Sequence, residues 1–157
     1  MIQEDLIVQK NGEVMARGAQ TRLRRLGKVY GIDFTFKGMV GNSRLSHQLV
    51  RFAGEKGEEV QRRVLSMIFE RHFEGTGDIT SVSFLLGIAH DAGLSEAEVE
   101  SYFGLGLGGK EVDDAAIYAR ANGISHVPTV AVNGLRIEGA AEPDEFFMAL
   151  VKAKADN

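Results

Sequence analysis

The 157-residue chain reads as an α-rich α/β protein, on three observations. Segments with helical apolar spacing, separated by glycines, run from residue 13 to residue 121. A single Asn133-Gly134 dipeptide then joins two short β-type segments, and a helical pattern opening on Pro143 closes the chain.

Glu13 to Tyr30 carries Val14, Ala16, Leu23, Leu26, Val29 and Tyr30 at partial helical spacing, with Gly31 as a C-terminal stop. Its Arg22, Arg24, Arg25 and Lys28 read as a solvated face. Asp33 to Gly38 alternates Phe34 and Phe36 against polar neighbours, the pattern of a short half-buried strand.

Helices are expected from about Ser43 to Ala53, Glu58 to Phe73 and Thr80 to Asp91, with Gly54, Gly57, Gly75, Gly77 and Gly93 as stops. The clearest apolar stripe is Val60, Val64, Leu65, Ile68 and Phe69. Ser95 followed by Glu98 is a capping box, in which each side chain satisfies a free backbone N–H, and it predicts a helix through Phe103.

A helix from about Lys110 to Ala121 is expected to bury Val112, Ala115, Ala116 and Ala119, ending at Asn122-Gly123. Thr129–Val132 and Leu135–Glu138 flank the Asn133-Gly134 turn, whose two positive φ angles make a tight hairpin. The last helix, Pro143 to Lys154, has Phe146, Phe147, Leu150 and Val151 as its apolar face.

Composition narrows function. A hydrophobic fraction of 44% and a charged fraction of 25% are those of an ordinary folded domain. With 18 Lys and Arg against 22 Asp and Glu, the net charge of −4 offers no field for nucleic acid. No segment approaches the roughly 18 apolar residues of a membrane helix, and Gln3, Glu4 and Asp5 stand where a signal peptide needs a basic start, so a cytoplasmic protein without nucleic-acid or membrane partners is expected. The chain has no cysteine and four histidines far apart, which removes thiolate nucleophiles and disulfides and leaves no metal site expected.

Gly104-Leu-Gly-Leu-Gly-Gly109 has the G-x-G-x-x-G spacing, but the dinucleotide fingerprint follows a strand and this stretch follows a helix. Lys110-Glu111 misses the phosphate-cradling motif, which needs a hydroxyl where Glu111 stands. The glycines read as a flexible interhelix link, or as a lid beside a site. Asp113-Asp114 and Glu96, Glu98 and Glu100 suit solvation near helix N-termini. His72 and His90 fall among charges that mark solvated faces.

Two segments remain as candidate sites. His126, in Ser125-His126-Val127-Pro128-Thr129, titrates near neutral pH and sits where a helix gives way to a strand, as a general acid or base or as a structural hydrogen-bonder. In Asn42-Ser43-Arg44-Leu45-Ser46-His47, Asn42 suits capping of the following helix and His47 lies within its first turns.

Those segments also carry a family pattern. Asn42 to His47 resembles the Asn-Thr-x-x-Ala-His opening of the helical insertion of the DSBA-like thioredoxin family, which includes DsbA/FrnE-like proteins, 2-hydroxychromene-2-carboxylate isomerases and kappa-class glutathione transferases. Leu65 to Gly77 with Asp78-Ile79, Ala89 to Leu94, the cis-proline stretch Gly123 to Thr129, and Gly139-Ala140-Ala141 resemble further family motifs in order, over about Glu13 to Lys152.

The resemblance implies a partial thioredoxin-like fold in a single domain over 1–157, with a helical insertion over about 43–122 and a C-terminal half over about 123–154. The strand, Cys-x-x-Cys or Ser-bearing turn, helix and strand with which the family begins do not precede Met1. It implies a cis Val127-Pro128 bond whose Val127 backbone faces a ligand. His126 stands where the family usually has glycine, and Ser43 where it has threonine.

The function so implied is a thiol-independent isomerase or cyclase acting on a small apolar organic molecule, in keeping with the association of FrnE-like relatives with polyketide secondary metabolism. His126 and His47 would be catalytic, with Asn42, Arg44, Val127, Pro128 and Thr129 binding substrate. Alternatives are an inactive DSBA-like remnant serving as a protein-interaction module, and glutathione binding without redox chemistry. A lone hairpin is marginal in water, so its edge is expected to be covered by the Phe34 to Phe36 strand, by a strand over Asp5 to Gln9, or by a second copy in a homodimer.

Overall fold

Helix α1 (Gln3–Asn11) and helix α2 (Glu13–Val29) are joined at Gly12, whose φ of +76° breaks the helical run. Asp5 to Gln9 is thus helical and not a strand. Its backbone acceptors lie one turn back on the same helix, and only Gln3 N and Glu4 N reach outward, to Gly38 O and Phe36 O at 2.9 and 3.1 Å. The computed structural model describes residues 1–139 and 141–155, so the middle of the Gly139-Ala140-Ala141 motif lies outside the described residues.

The face that α2 buries is narrower than its apolar spacing suggests. Ala16, Gln20 and Gly27 are buried, while Val14, Leu23, Leu26, Val29 and Tyr30 are exposed. Small residues are needed on the contact side because the next segment comes close: a Cβ on Gly27 would stand 2.7 Å from both Ile32 O and the Phe34 ring. Arg24 leaves the solvated face, its guanidinium lying 5.0 Å from the Phe36 ring centroid and its Nε donating to Phe34 O.

Asp33 to Gly38 is not a strand either. Thr35 N donates to Phe73 O at 2.9 Å and Thr35 Oγ1 to Gly75 O at 2.8 Å, so the segment bonds to the end of a helix and has no ladder to extend it. Phe36 takes φ +60°, a left-handed conformation uncommon for a bulky side chain. Phe34 and Phe36 stack at 5.9 Å, and Phe73 meets Phe34 edge-on at 6.1 Å.

The main core is built by α3 (Arg44–Glu55), α4 (Glu58–Phe69), α5 (Val82–Asp91) and α6 (Glu96–Gly104). Leu49, Ala53, Val64, Leu85, Ile88, Ala89 and Val99 are completely buried there, with Phe52 and Tyr102 edge to face at 5.0 Å. Of the expected α4 stripe, Val64 and Ile68 are buried and Leu65 and Phe69 are exposed. Ser95 Oγ accepts from Glu98 N as expected, but the Glu98 carboxylate turns away to Lys56 Nζ at 2.9 Å, so only half of the capping box forms.

The helix expected to continue to Phe73 changes at Glu70 into a π turn, Glu70–Glu74. The wider turn shifts the next side chains around the helix axis, and His72 ends 5% exposed instead of on a wet face. His90 is exposed, 3.1 Å from Glu96.

The chain divides into two compact units, Met1–Asp113 and Asp114–Asn157, within α7 (Gly109–Ala121). Ala115 and Ala116, expected to be buried, are exposed, and Val112 and Ala119 are half-buried. In the second unit β1 (Thr129–Val132) pairs antiparallel with β2 (Leu135–Glu138), Val130 opposite Ile137 and Val132 opposite Leu135. Asn133 and Gly134 take φ +46° and +83° at the turn. Helix α8 (Pro143–Ala155) lies on this hairpin through Ala149 and the half-buried Phe146, and Phe147, Leu150 and Val151 are exposed, against expectation. Two strands offer one narrow face, which a single stripe of α8 fills.

Candidate functional site

In the first unit the candidate residues gather where α3 begins. Asn42 Oδ1 accepts from Arg44 N at 3.0 Å, capping a first-turn amide from one residue outside the helix. His47 is exposed, with Nδ1 2.7 Å from Ser43 O. A carbonyl only accepts, so Nδ1 carries a proton, and Nε2 is left without a hydrogen-bond partner among the described residues.

Arg44 reaches forward in sequence. Its Nε and Nη2 donate to Asp113 Oδ1 and Oδ2 at 2.9 Å each, and its Nη1 to Gln48 Oε1 at 3.4 Å. The Arg44 hydrogen bond holds the Asp113 carboxyl below the usual carboxylate range, and Asp113 in turn keeps Arg44 charged. This fork, proposed from sequence for substrate binding, is engaged by the protein itself.

The glycine loop is packed and not an open link. Gln48, 1% exposed, donates from Nε2 to Leu107 O at 2.8 Å. A Cβ on Gly109 would overlap the Arg44 guanidinium, and one on Gly108, already at φ +69°, would overlap the Tyr102 hydroxyl. The amides of Leu105, Gly106, Leu107 and Gly109 all donate to backbone carbonyls. Burial, and then the bond that it donates to Glu55, push the Tyr102 hydroxyl above its ordinary range.

In the second unit the Val127-Pro128 peptide bond is cis, as the resemblance implies. Val127 is 89% exposed, and neither its N–H nor its C=O takes a hydrogen bond among the described residues. Thr129 Oγ1 donates to His126 O at 2.7 Å, and Gly139 N to Pro128 O at 2.8 Å, which pins the loop from both sides of the proline. The His126 ring is exposed, its Nδ1 2.8 Å from Ser125 Oγ. Asn42, Arg44 and His47 therefore belong to one unit, and His126, Val127, Pro128 and Thr129 to the other.

Sequence reasoning missed a buried polar group. His72 Nδ1 donates to Gly77 O at 3.1 Å beneath the Phe73 ring, and the Gly38 backbone lies against it. Asp78 beside it accepts from both the amide and the hydroxyl of Thr80, and these bonds hold its carboxyl below its ordinary range. Gly38 and Gly77 on either side were the readable signal. Among the described residues no cluster of three His, Asp or Glu side chains is placed to hold a metal ion, and no helix is long and apolar enough to cross a membrane.

A helical layer followed by a cis-proline loop, a hairpin and a closing helix defines a thioredoxin-type protein of the helix-inserted class. The chain belongs to the DSBA-like thioredoxin domain family, which it matches over residues 7–151. No curated protein matches it. It has no cysteine, so no dithiol chemistry comes from its own residues.

Proposed function

We propose that the protein is a thiol-independent acid–base enzyme of isomerase or cyclase type, acting on a small, largely apolar, polyketide-like organic molecule, with His126 as its proton-transfer group. The observation that carries this reading is the placement of His126 next to the unbonded Val127 backbone on the cis-proline loop. An imidazole exchanges a proton near neutral pH, and a free amide polarises a carbonyl or enolate oxygen. Ser125 Oγ, bonded to Nδ1, fixes the ring so that Nε2 is the exchanging atom. Thr129 holds the His126 carbonyl and with it the loop. A catalytic role for His47 and substrate-binding roles for Asn42 and Arg44 are separate proposals, each tested by its own substitution, and a cytoplasmic location fits the cysteine-free composition.

Amide chemical shifts recorded during titration with aromatic ketones and with glutathione test this. The reading expects aromatic compounds to move the Ser125 to Thr129 amides in the wild type, and His126→Ala to stop proton exchange of the ketone while leaving the fold intact. Aromatic ketones that leave this loop unmoved, or exchange that survives His126→Ala, would remove His126 from any mechanism.

A second reading, a DSBA-like interaction module without catalysis, is favoured by the solvent exposure of His126 and Val127. A general base works best when water is kept from it. Binding of glutathione alone, with no response to aromatic compounds, would point to the third reading, glutathione binding without redox chemistry.

A further inference from the structure

Helix α8 carries more apolar surface than the hairpin covers. Phe146, Ala149 and Ala153 turn toward β1 and β2, whereas Phe147 and Met148 are each 64% exposed, Leu150 58% and Val151 48%. Phe147, Met148 and Val151 fall at i, i+1 and i+4, which puts them on one stripe facing away from the hairpin, with Leu150 at its margin. Asp144 lies at the N-terminal end of this stripe and Lys154 at its C-terminal end, with Glu145 and Lys152 at its sides. None of these four charges is in an ion pair among the described residues.

We propose that this face of α8 is the contact surface of a homodimer, in which two α8 helices pack antiparallel about a two-fold axis at the level of Ala149. That axis pairs position 147 with 151 and 144 with 154. Phe147 of each copy then covers Val151 of the other, Met148 lies on the same flank as its own counterpart, and Asp144 faces Lys154 twice. The stripe is therefore complementary to itself in reverse, which is the requirement for an isologous contact. The opposed helix dipoles add to the fit, because each acidic N-terminal end lies beside a basic C-terminal end.

Charge decides which face takes the second copy. A second exposed apolar face, on α2, carries Met15, Leu26 and Val29 among Arg22, Arg25 and Lys28, with no acidic residue from Val14 to Tyr30. Two such faces repel each other, and two α8 faces attract. With a side chain of this size at roughly 150–200 Å², the exposed parts of Phe147, Met148, Leu150 and Val151 come to about 400 Å² on each copy. The four charged side chains extend this toward the roughly 800 Å² per partner of a standard interface, so association should vary with concentration.

Sedimentation equilibrium of the full chain at low salt tests the proposal. The expected result is a reversible equilibrium between 17.1 kDa chains and particles of twice that mass. Each dimer contains the Val151 contact twice, so Val151→Asp should raise the dissociation constant on the order of 100-fold or more. Asp144→Lys should weaken the dimer, and adding Lys154→Asp to it should restore wild-type association. Both charge changes lie on the surface, where they leave the fold intact, and circular dichroism checks that. A chain that stays monomeric at every concentration overturns the proposal, as does a dimer that Val151→Asp leaves unchanged or a reversed pair that fails to restore association.

Discussion

Arg44 and Asp113 meet through two parallel hydrogen bonds of 2.9 Å each, across 69 residues of sequence. The pair ties the start of α3 to α7, and Gln48 and the close approach of Gly109 complete the clamp. Planar two-point bonding of this kind suits a guanidinium and not an ammonium. Arg44→Lys should therefore lower the urea midpoint by less than a core truncation does, since the pair is solvent-exposed, and Asp113→Asn should lower it by a similar amount. Equal stability of Arg44→Lys and the wild type would show that one bond serves as well as two.

The same pair gives a pH dependence. The folded-state pKa values of Asp113 and Asp78 are both depressed below their ordinary 3.8. Their contribution to stability is thus fully present above that value and is lost as pH falls through the lower folded values. Denaturant midpoints measured in acid should converge for the wild type and the Asp113→Asn, Asp78→Asn double variant, while at pH 7 the double variant should be the less stable. A gap that stays constant into acid would contradict this.

Leu49 is completely buried at the centre of the main core. Leu49→Ala removes apolar contact and leaves a cavity, a combination that costs about 2–5 kcal/mol. Calorimetry or denaturant titration should find a loss in that range, and a loss below about 1 kcal/mol would mean that the core collapses around the gap.

Gly38 faces backbone as well as side chain, because an added Cβ would overlap His72 O. A backbone oxygen cannot swing aside as a side chain does. Gly38→Ala should destabilise by about 1–3 kcal/mol and shift the His72 ring resonances. Unchanged resonances would disprove the close approach.

Ser95 Oγ accepts the Glu98 amide at 3.3 Å. Ser95→Ala should cost about 1 kcal/mol, and Ser95→Asp should recover most of it. Because the Glu98 side chain bonds Lys56 and not the cap, Glu98→Gln should matter less than Ser95→Ala.

Much of the fold was legible in the sequence, and the reason differs from element to element. The Asn133-Gly134 hairpin, the Ser95 cap and the stop at Gly31 are set by neighbouring residues, so local chemistry suffices. Family resemblance, through Asn42 to His47 and Gly123 to Thr129, carried the fold and the cis bond at Pro128. The candidate site was only half legible: His126 stood out by its type, whereas the Asp113 partner of Arg44 left no sequence signal and the burial of His72 left only the flanking Gly38 and Gly77. Each depends on a distant backbone, the α7 start in one case and the Gly38 turn in the other.

By itself, then, the sequence determined the order and type of nearly every helix, the hairpin and its register, the family, and the exclusion of thiol chemistry. Those come from φ preferences, periodicity and residue type, which act over a few positions. Tertiary structure decided the rest: that Asp5 to Gln9 is helical, that Phe34 to Phe36 bonds a helix end and not a strand, that Phe147 and Val151 face outward, and that Arg44 is clamped. A strand exists only where another backbone offers it a ladder, and an apolar side chain is buried only where a surface comes to meet it.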